Sequence, residues 1–184
     1  MIFNTQELLS ELKDYVQSHI NFVTSIQNIE EAALQRKLKA DSWSVLECLE
    51  HLNLYAKFYN NEIKRRLEKS NTKNTSQFTS GYWGHKFAMD MLPKDGMRTM
   101  NTFKSKNPIY SVVKKDTVIT DFLRLQQELL QLLNMAADKD LTKIKTSITL
   151  PLLKFRLGDT FRFVIYHNER HVVQAKKVLN SLGD

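Results

Sequence analysis

A single cysteine, Cys48, leaves no partner for an internal disulfide and excludes an all-cysteine zinc site. Glycine and proline are scarce, at five and three. Long stretches therefore run without punctuation, which favours helices over many short strands. No apolar run approaches the ~20 residues needed to span a bilayer. The N-terminal Met-Ile-Phe-Asn-Thr-Gln-Glu-Leu-Leu lacks the basic start and apolar stretch of a secretory signal. These absences predict a cytoplasmic protein with no membrane partner. Glycine-rich phosphate loops and clustered carboxylates are also missing.

Acidic residues are in short supply too, with 20 Asp and Glu against 27 Lys and Arg and a net charge of +7. Much of the surplus falls between Lys86 and Lys115, where seven basic residues face two aspartates. The basic residues are dispersed, and no nucleic-acid motif accompanies them. That favours a solvated face over a nucleic-acid surface. The 184 residues suit one domain, 1–184, with a sizeable core.

What is present is helical periodicity. Leu8, Leu9, Leu12, Tyr15, Val16, Ile20 and Val23 recur at helical spacing after Thr5. His19 keeps the polar company of Gln17, Ser18 and Asn21, which predicts a solvated position. A short helical turn is expected over 30–36. Ser44 with Glu47 fits a capping box, with Asp41 or Ser42 as competing caps, and Trp43 before Ser44 is placed to fold back on the helix as a staple. The second helix runs to about Lys69, with Val45, Cys48, Leu49, Leu52, Tyr55, Ala56, Tyr59, Ile63 and Leu67 on its apolar arc. Asn53, Lys57, Asn60 and Lys64 lie opposite.

The polar stretch 70–80 reads as a loop. Residues 81–92 form a short helix stopped by Pro93-Lys-Asp-Gly96, and 97–110 is irregular. Four of the six methionines fall between Met89 and Met100, beside Tyr82, Trp83, Phe87 and Phe103. This segment, 81–115 overall, either packs onto the bundle or walls an apolar pocket. His85 within it reads as a surface residue rather than a metal ligand. A third helix spans about 118–137, capped by Thr117 or Thr120. A mostly non-helical crossing over 139–156 leads to a fourth helix opening at Leu157-Gly-Asp159, with Asp159 as its cap.

The fourth helix carries two histidines four residues apart, His167 and His171. That spacing puts both rings on one face, with Cβ atoms about 5–6 Å apart. They lie at the edge of an arc formed by Phe161, Phe163, Val164, Ile165, Val172, Ala175, Val178, Leu179 and Leu182. Arg162, Glu169, Lys176, Lys177 and Asn180 occupy the opposite arc. His51 holds the same boundary position on the second helix. Such histidines are either satisfied boundary residues or metal ligands. Three together suit zinc or nickel and match the open, three-ligand arrangement of catalytic sites. His-Asn-Glu-Arg-His differs from the His-Glu-x-x-His of zinc proteases, and Glu169 on the solvent arc cannot be that base. Cys48, one turn before His51, reads as a buried hydrophobe rather than a nucleophile.

Trp43-Ser44-x-x-Glu47-x-x-x-His51-Leu52, followed by His167-x-x-Arg170-His171-x-x-Gln174, resembles the DinB-like family. The resemblance implies an all-α four-helix bundle with a long excursion between helices two and three. It also implies a divalent metal at His51, His167 and His171. Family members with known activity include S-transferases and isomerases that use low-molecular-weight thiols such as bacillithiol or mycothiol, and others are described as hydrolases. The implied function is a metal-dependent transferase or hydrolase acting on a small-molecule substrate. The alternative is a stress-associated metal- or ligand-binding protein without turnover. Glu47, Arg170 and Gln174 are candidates to orient a ligand or meet substrate. A homodimer is left open.

Overall fold

A computed structural model describes residues 1–94 and 102–181. Met97 and Met100 of the methionine-rich segment, Gly96 of the helix stop and Leu182 of the fourth helix's arc lie outside them. The described elements are β1 (Ile2–Asn4), α1 (Thr5–Ile26), α2 (Glu31–Leu34), α3 (Val45–Glu68), β2 (Gln77–Thr79), α4 (Tyr82–Met91), α5 (Lys115–Ala136), β3 (Lys145–Ser147), β4 (Lys154–Arg156) and α6 (Leu157–Asn180). Two 3-10 turns, Lys104–Lys106 and Pro108–Tyr110, precede α5. The fold is an all-α bundle of the four long helices with two small sheets. Among the described residues, no helix is long and apolar enough to cross a membrane.

Each long helix starts where its local chemistry allows. Asn4 caps α1, its side chain accepting from the N–H groups of Gln6 and Glu7 at 3.0 and 3.1 Å. The capping box opens α3: Ser44 Oγ accepts from Glu47 N–H at 3.2 Å, and Glu47 returns the bond to Ser44 N–H at 2.8 Å. Neither Thr117 nor Thr120 caps α5. That helix begins one turn earlier, after Lys114, with no side-chain cap.

The long helices close a ring in the order α1, α5, α3, α6, so α1 and α3 stand diagonally and so do α5 and α6. Two apolar clusters fill the middle. One contains Leu12, Val16, Tyr59, Leu133 and Phe161, and the other contains Val23, Val45, Leu49, Phe122 and Val172. Cys48 is buried in the second, with burial pushing its thiol far above the usual range.

Several polar residues expected at the surface are inside, because a helical wheel assumes one packed face while these helices have two. Asn53 and Asn60 face α5 and donate to the carbonyls of Val118 and Leu125 at 3.0 and 2.9 Å. His19 lies three residues after Val16 and four before Val23, on the buried stripe itself, and its ring is fully enclosed. Its Nε2 meets Glu169 at 2.8 Å, so Glu169 turns toward α1 rather than to solvent. Arg162 is 1% exposed because α4 covers that side of α6. Its guanidinium sits 4.4 Å over the Phe3 ring and donates to His85 Nδ1 at 3.2 Å. His85 is thus partly buried and tied to Arg162, not a free surface group. Asp159 does not cap α6; its carboxylate instead bonds the Ser80 hydroxyl and accepts from Gly81 N–H at 2.8 Å, at the start of α4.

The stretch 70–80 holds a strand the sequence did not announce. β2 pairs antiparallel with β1, with Phe3 opposite Phe78, and β3 pairs with β4 across the 139–156 crossing. Strands this short show no periodicity, and β2 is anchored by one residue: Phe78 is fully buried under α6. A Cβ added to Gly158 would stand 2.6 Å from the Phe78 ring. Alanine in a helix normally gains up to about 1 kcal/mol over glycine, yet overpacking a tight core costs about 1–3 kcal/mol. Gly158→Ala should therefore lower the melting temperature by several degrees, at ~2–4 °C per kcal/mol for a chain of this size. Unchanged or raised thermal stability would show that Phe78 has room to move.

Candidate metal centre

The capping box fixes where α3 begins and places His51 two turns inside it. His167 and His171 come from the middle of α6, which packs beside α3. The three rings meet, and one nitrogen from each lies within 4.8 Å of the others. His51 Nε2 and His167 Nε2 are 3.2 Å apart. Two nitrogens each ~2.0–2.1 Å from one tetrahedral zinc ion stand ~3.3 Å apart, so this pair already has a chelating separation. His51 and His167 are 2% and 8% exposed, and His171 is partly buried at the rim.

Hydrogen bonds set the tautomers. His51 Nδ1 lies 2.7 Å from the carbonyl oxygen of Lys106. A carbonyl can only accept, so Nδ1 carries the proton and Nε2 of the neutral ring is bare. His171 Nδ1 meets Gln174 Oε1 at 2.9 Å, which leaves its Nε2 bare in the same way. Three aromatic residues enclose the rings. Trp43, just before the cap, lies 4.7 Å from His51 and 5.5 Å from His171, centroid to centroid. Tyr55 contacts His51 at 4.9 Å and His167 at 4.8 Å, and Phe163 stacks on His167 at 6.2 Å.

Enclosure keeps the imidazoles neutral. Loss of water lowers the His51 pKa to about 4, although the Lys106 carbonyl opposes the shift and the Lys106 charge adds to it. Burial, then the neighbouring His51, brings His171 down to about 3. His167 falls well below the usual value for the same first reason, followed by His171, His51 and Arg170. The bare Nε2 lone pairs of His51 and His171 are therefore available at neutral pH and remain so in mild acid.

The other candidates have definite places. Glu47 uses one carboxylate oxygen in the capping box and the other on Lys37 Nζ at 2.7 Å. It holds the start of α3 rather than a ring. Gln174 is the residue that orients His171. Arg170 reaches the Asp90 carbonyl of α4 at 3.4 Å. Lys106 is a neighbour of the rings that no sequence signal marks, because a backbone carbonyl leaves no trace in side-chain chemistry. Tyr55, one turn after His51 on the apolar arc, contacts two of the rings. Two clefts among the described residues lie elsewhere. One, of about 530 Å³, is lined by Ser80, Gly81, Tyr82, His85 and Met89, and the other, of about 250 Å³, lies between α1 and α5.

The DinB superfamily model matches residues 15–175. This chain belongs to the DinB superfamily. No curated protein and no solved structure matches it. The match spans all three histidines, the whole of α3 and α6 as far as residue 175, so the cluster lies within the superfamily's own part of the chain.

Depressed histidine pKa values link stability to pH. Below its unfolded value of about 6.5 an exposed imidazole binds a proton that the folded site refuses. The contribution is thus complete above pH 6.5 and is lost as pH falls toward the folded values of about 4 and about 3. The metal-free protein should melt at clearly lower temperature at pH 5.0 than at pH 7.5. The same comparison on a His51→Ala, His167→Ala, His171→Ala variant should show a smaller difference. Equal pH sensitivity in both proteins would mean the three rings titrate normally.

Proposed function

We propose that this DinB-superfamily chain holds one divalent metal ion through His51, His167 and His171 and uses it as an enzyme on a small-molecule substrate. The carrying observation is the set of three neutral imidazoles whose candidate ligand atoms lie within 4.8 Å, two of them with the other nitrogen already committed as a donor. The donor set fits zinc or nickel, both of which suit imidazole. Three protein ligands leave a position open, as catalytic sites do. The ion would supply Lewis acidity, lowering the pKa of a water or of a low-molecular-weight thiol toward neutrality.

The chain's own residues prepare that chemistry. The Lys106 carbonyl and Gln174 keep protons on the Nδ1 atoms and turn Nε2 inward. Trp43, Tyr55 and Phe163 shield the rings from water, which strengthens any charge interaction made there. Arg170, one residue from His171, is the candidate to meet an acidic substrate group. The family resemblance, which takes in thiol-using S-transferases and others described as hydrolases, supports S-transfer or hydrolysis as the reaction class.

Protein purified without added metal should contain about one zinc or nickel ion per chain, and the triple His→Ala variant should contain none. Equal trace metal in both by elemental analysis would remove the site. His51→Ala alone should abolish turnover in a screen of thiol-transfer, ester and amide substrates while leaving a folded bundle, because the apolar clusters supply the core. A large fall in melting temperature on chelation, with no turnover on any substrate, would instead support a binding protein.

A further inference from the structure

The segment 102–113 connects the α4 region to α5 across the outside of α3, and its attachment is unusual. Its large apolar side chains face outward: Phe103, Ile109, Tyr110 and Val112 are 46%, 54%, 64% and 82% exposed. Pro108 is buried, and Val113 at the end of the segment packs on the second cluster while its carbonyl accepts from Gln35 Nε2 at 3.3 Å. Before that end, apolar burial contributes little, and the grip on α3 comes from Lys106, which reaches it twice. The Lys106 carbonyl receives the Nδ1 proton of His51 at 2.7 Å. Its ammonium donates to the carbonyl of Leu54 at 2.6 Å and lies 5.7 Å over the Tyr55 ring. Tyr55 in turn contacts both His51 and His167.

Lys106 is able to present that carbonyl because it ends a 3-10 turn, its own N–H donating to Phe103 at 2.8 Å. The two contacts straddle one turn of α3. The ammonium fixes the backbone of the turn, and the turn aims its carbonyl at the ring. Without the carbonyl, the enclosed His51 ring is free to move its proton to Nε2 or to rotate. Either change removes the bare lone pair directed at His167. A partner on the second nitrogen is what commonly holds a ligating imidazole in one tautomer, and its loss typically costs 10–100-fold in metal affinity.

We infer that Lys106 is a positioning residue that couples docking of the 102–113 segment to occupancy of the histidine site. The inference rests on the metal reading proposed above. The coupling is reciprocal. A docked segment raises metal affinity by holding His51 in its ligating tautomer, and a bound ion, which requires that tautomer, holds the segment down.

The test uses the full chain and zinc alone. Zinc affinity is measured by competition with a chromogenic chelator for wild type, Lys106→Ala and Lys106→Arg. Hydrogen exchange of the amides between 103 and 110 is followed in wild type with and without zinc. Lys106→Ala should bind zinc about 10–100-fold more weakly while the metal-free variant melts close to wild type, because the segment's apolar groups are already exposed. Lys106→Arg, which can still donate to the Leu54 carbonyl, should recover most of the affinity. Zinc should slow exchange of the segment in wild type. If wild type binds zinc but Lys106→Ala binds it as tightly and zinc leaves exchange between 103 and 110 unchanged, the coupling is refuted and the metal site stands. If wild type binds no zinc at all, the metal reading fails and the coupling fails with it.

Discussion

An imidazole taken out of water has two nitrogens to satisfy, and the middle of this bundle is arranged around that demand. Three rings meet there from α3 and α6. Two of them place a proton on a fixed acceptor, one a backbone carbonyl and one a glutamine, and so turn a lone pair toward the centre. The acceptors are as important to the site as the rings. Had either been a donor instead, the tautomer would reverse and the lone pair would point away.

The same demand organises a whole tier of the protein. Beside the three rings, His19 of α1 is joined to Glu169 of α6, and Gln126 of α5 accepts from Asn168 at 3.3 Å. All four long helices thus contribute a polar residue at the level where the two apolar clusters meet. α6 supplies a member to every pair, with His167 directed to α3, Glu169 to α1 and Asn168 across the bundle to α5. A helix packed on several sides can do this because consecutive residues point about 100° apart. Satisfaction is not complete. His19 Nδ1 has no hydrogen-bond partner among the described residues.

Spacing made the four long helices, the capping box and the three histidines readable in the sequence. Apolar residues at three- and four-residue intervals define an inner face, and His51, His167 and His171 fall on its border. Reading failed where a helix has more than one covered face. Arg162 and Asn53 sit opposite the apolar arcs, yet α4 and α5 pack over them. His19 was masked by polar neighbours in the chain, although its distance from Val16 and Val23 puts it on the buried stripe. The short strands could not have been read, since three residues have no measurable period and Phe78 is the single apolar anchor of its stretch. The Lys106 carbonyl belongs to the backbone, which every residue shares, so only the fold can assign it a task.

The two buried asparagines of α3 have a mechanical meaning. Asn53 and Asn60 are two turns apart, and so are the carbonyls of Val118 and Leu125 that they engage on α5. Every residue of α5 carries a carbonyl, so neither amide chooses its partner by chemistry; together they tie α3 to α5 at two points on one face. Sliding one helix along the other has to break both buried bonds at once, so the height of His51 along the bundle is pinned against α5 before any ion or substrate arrives.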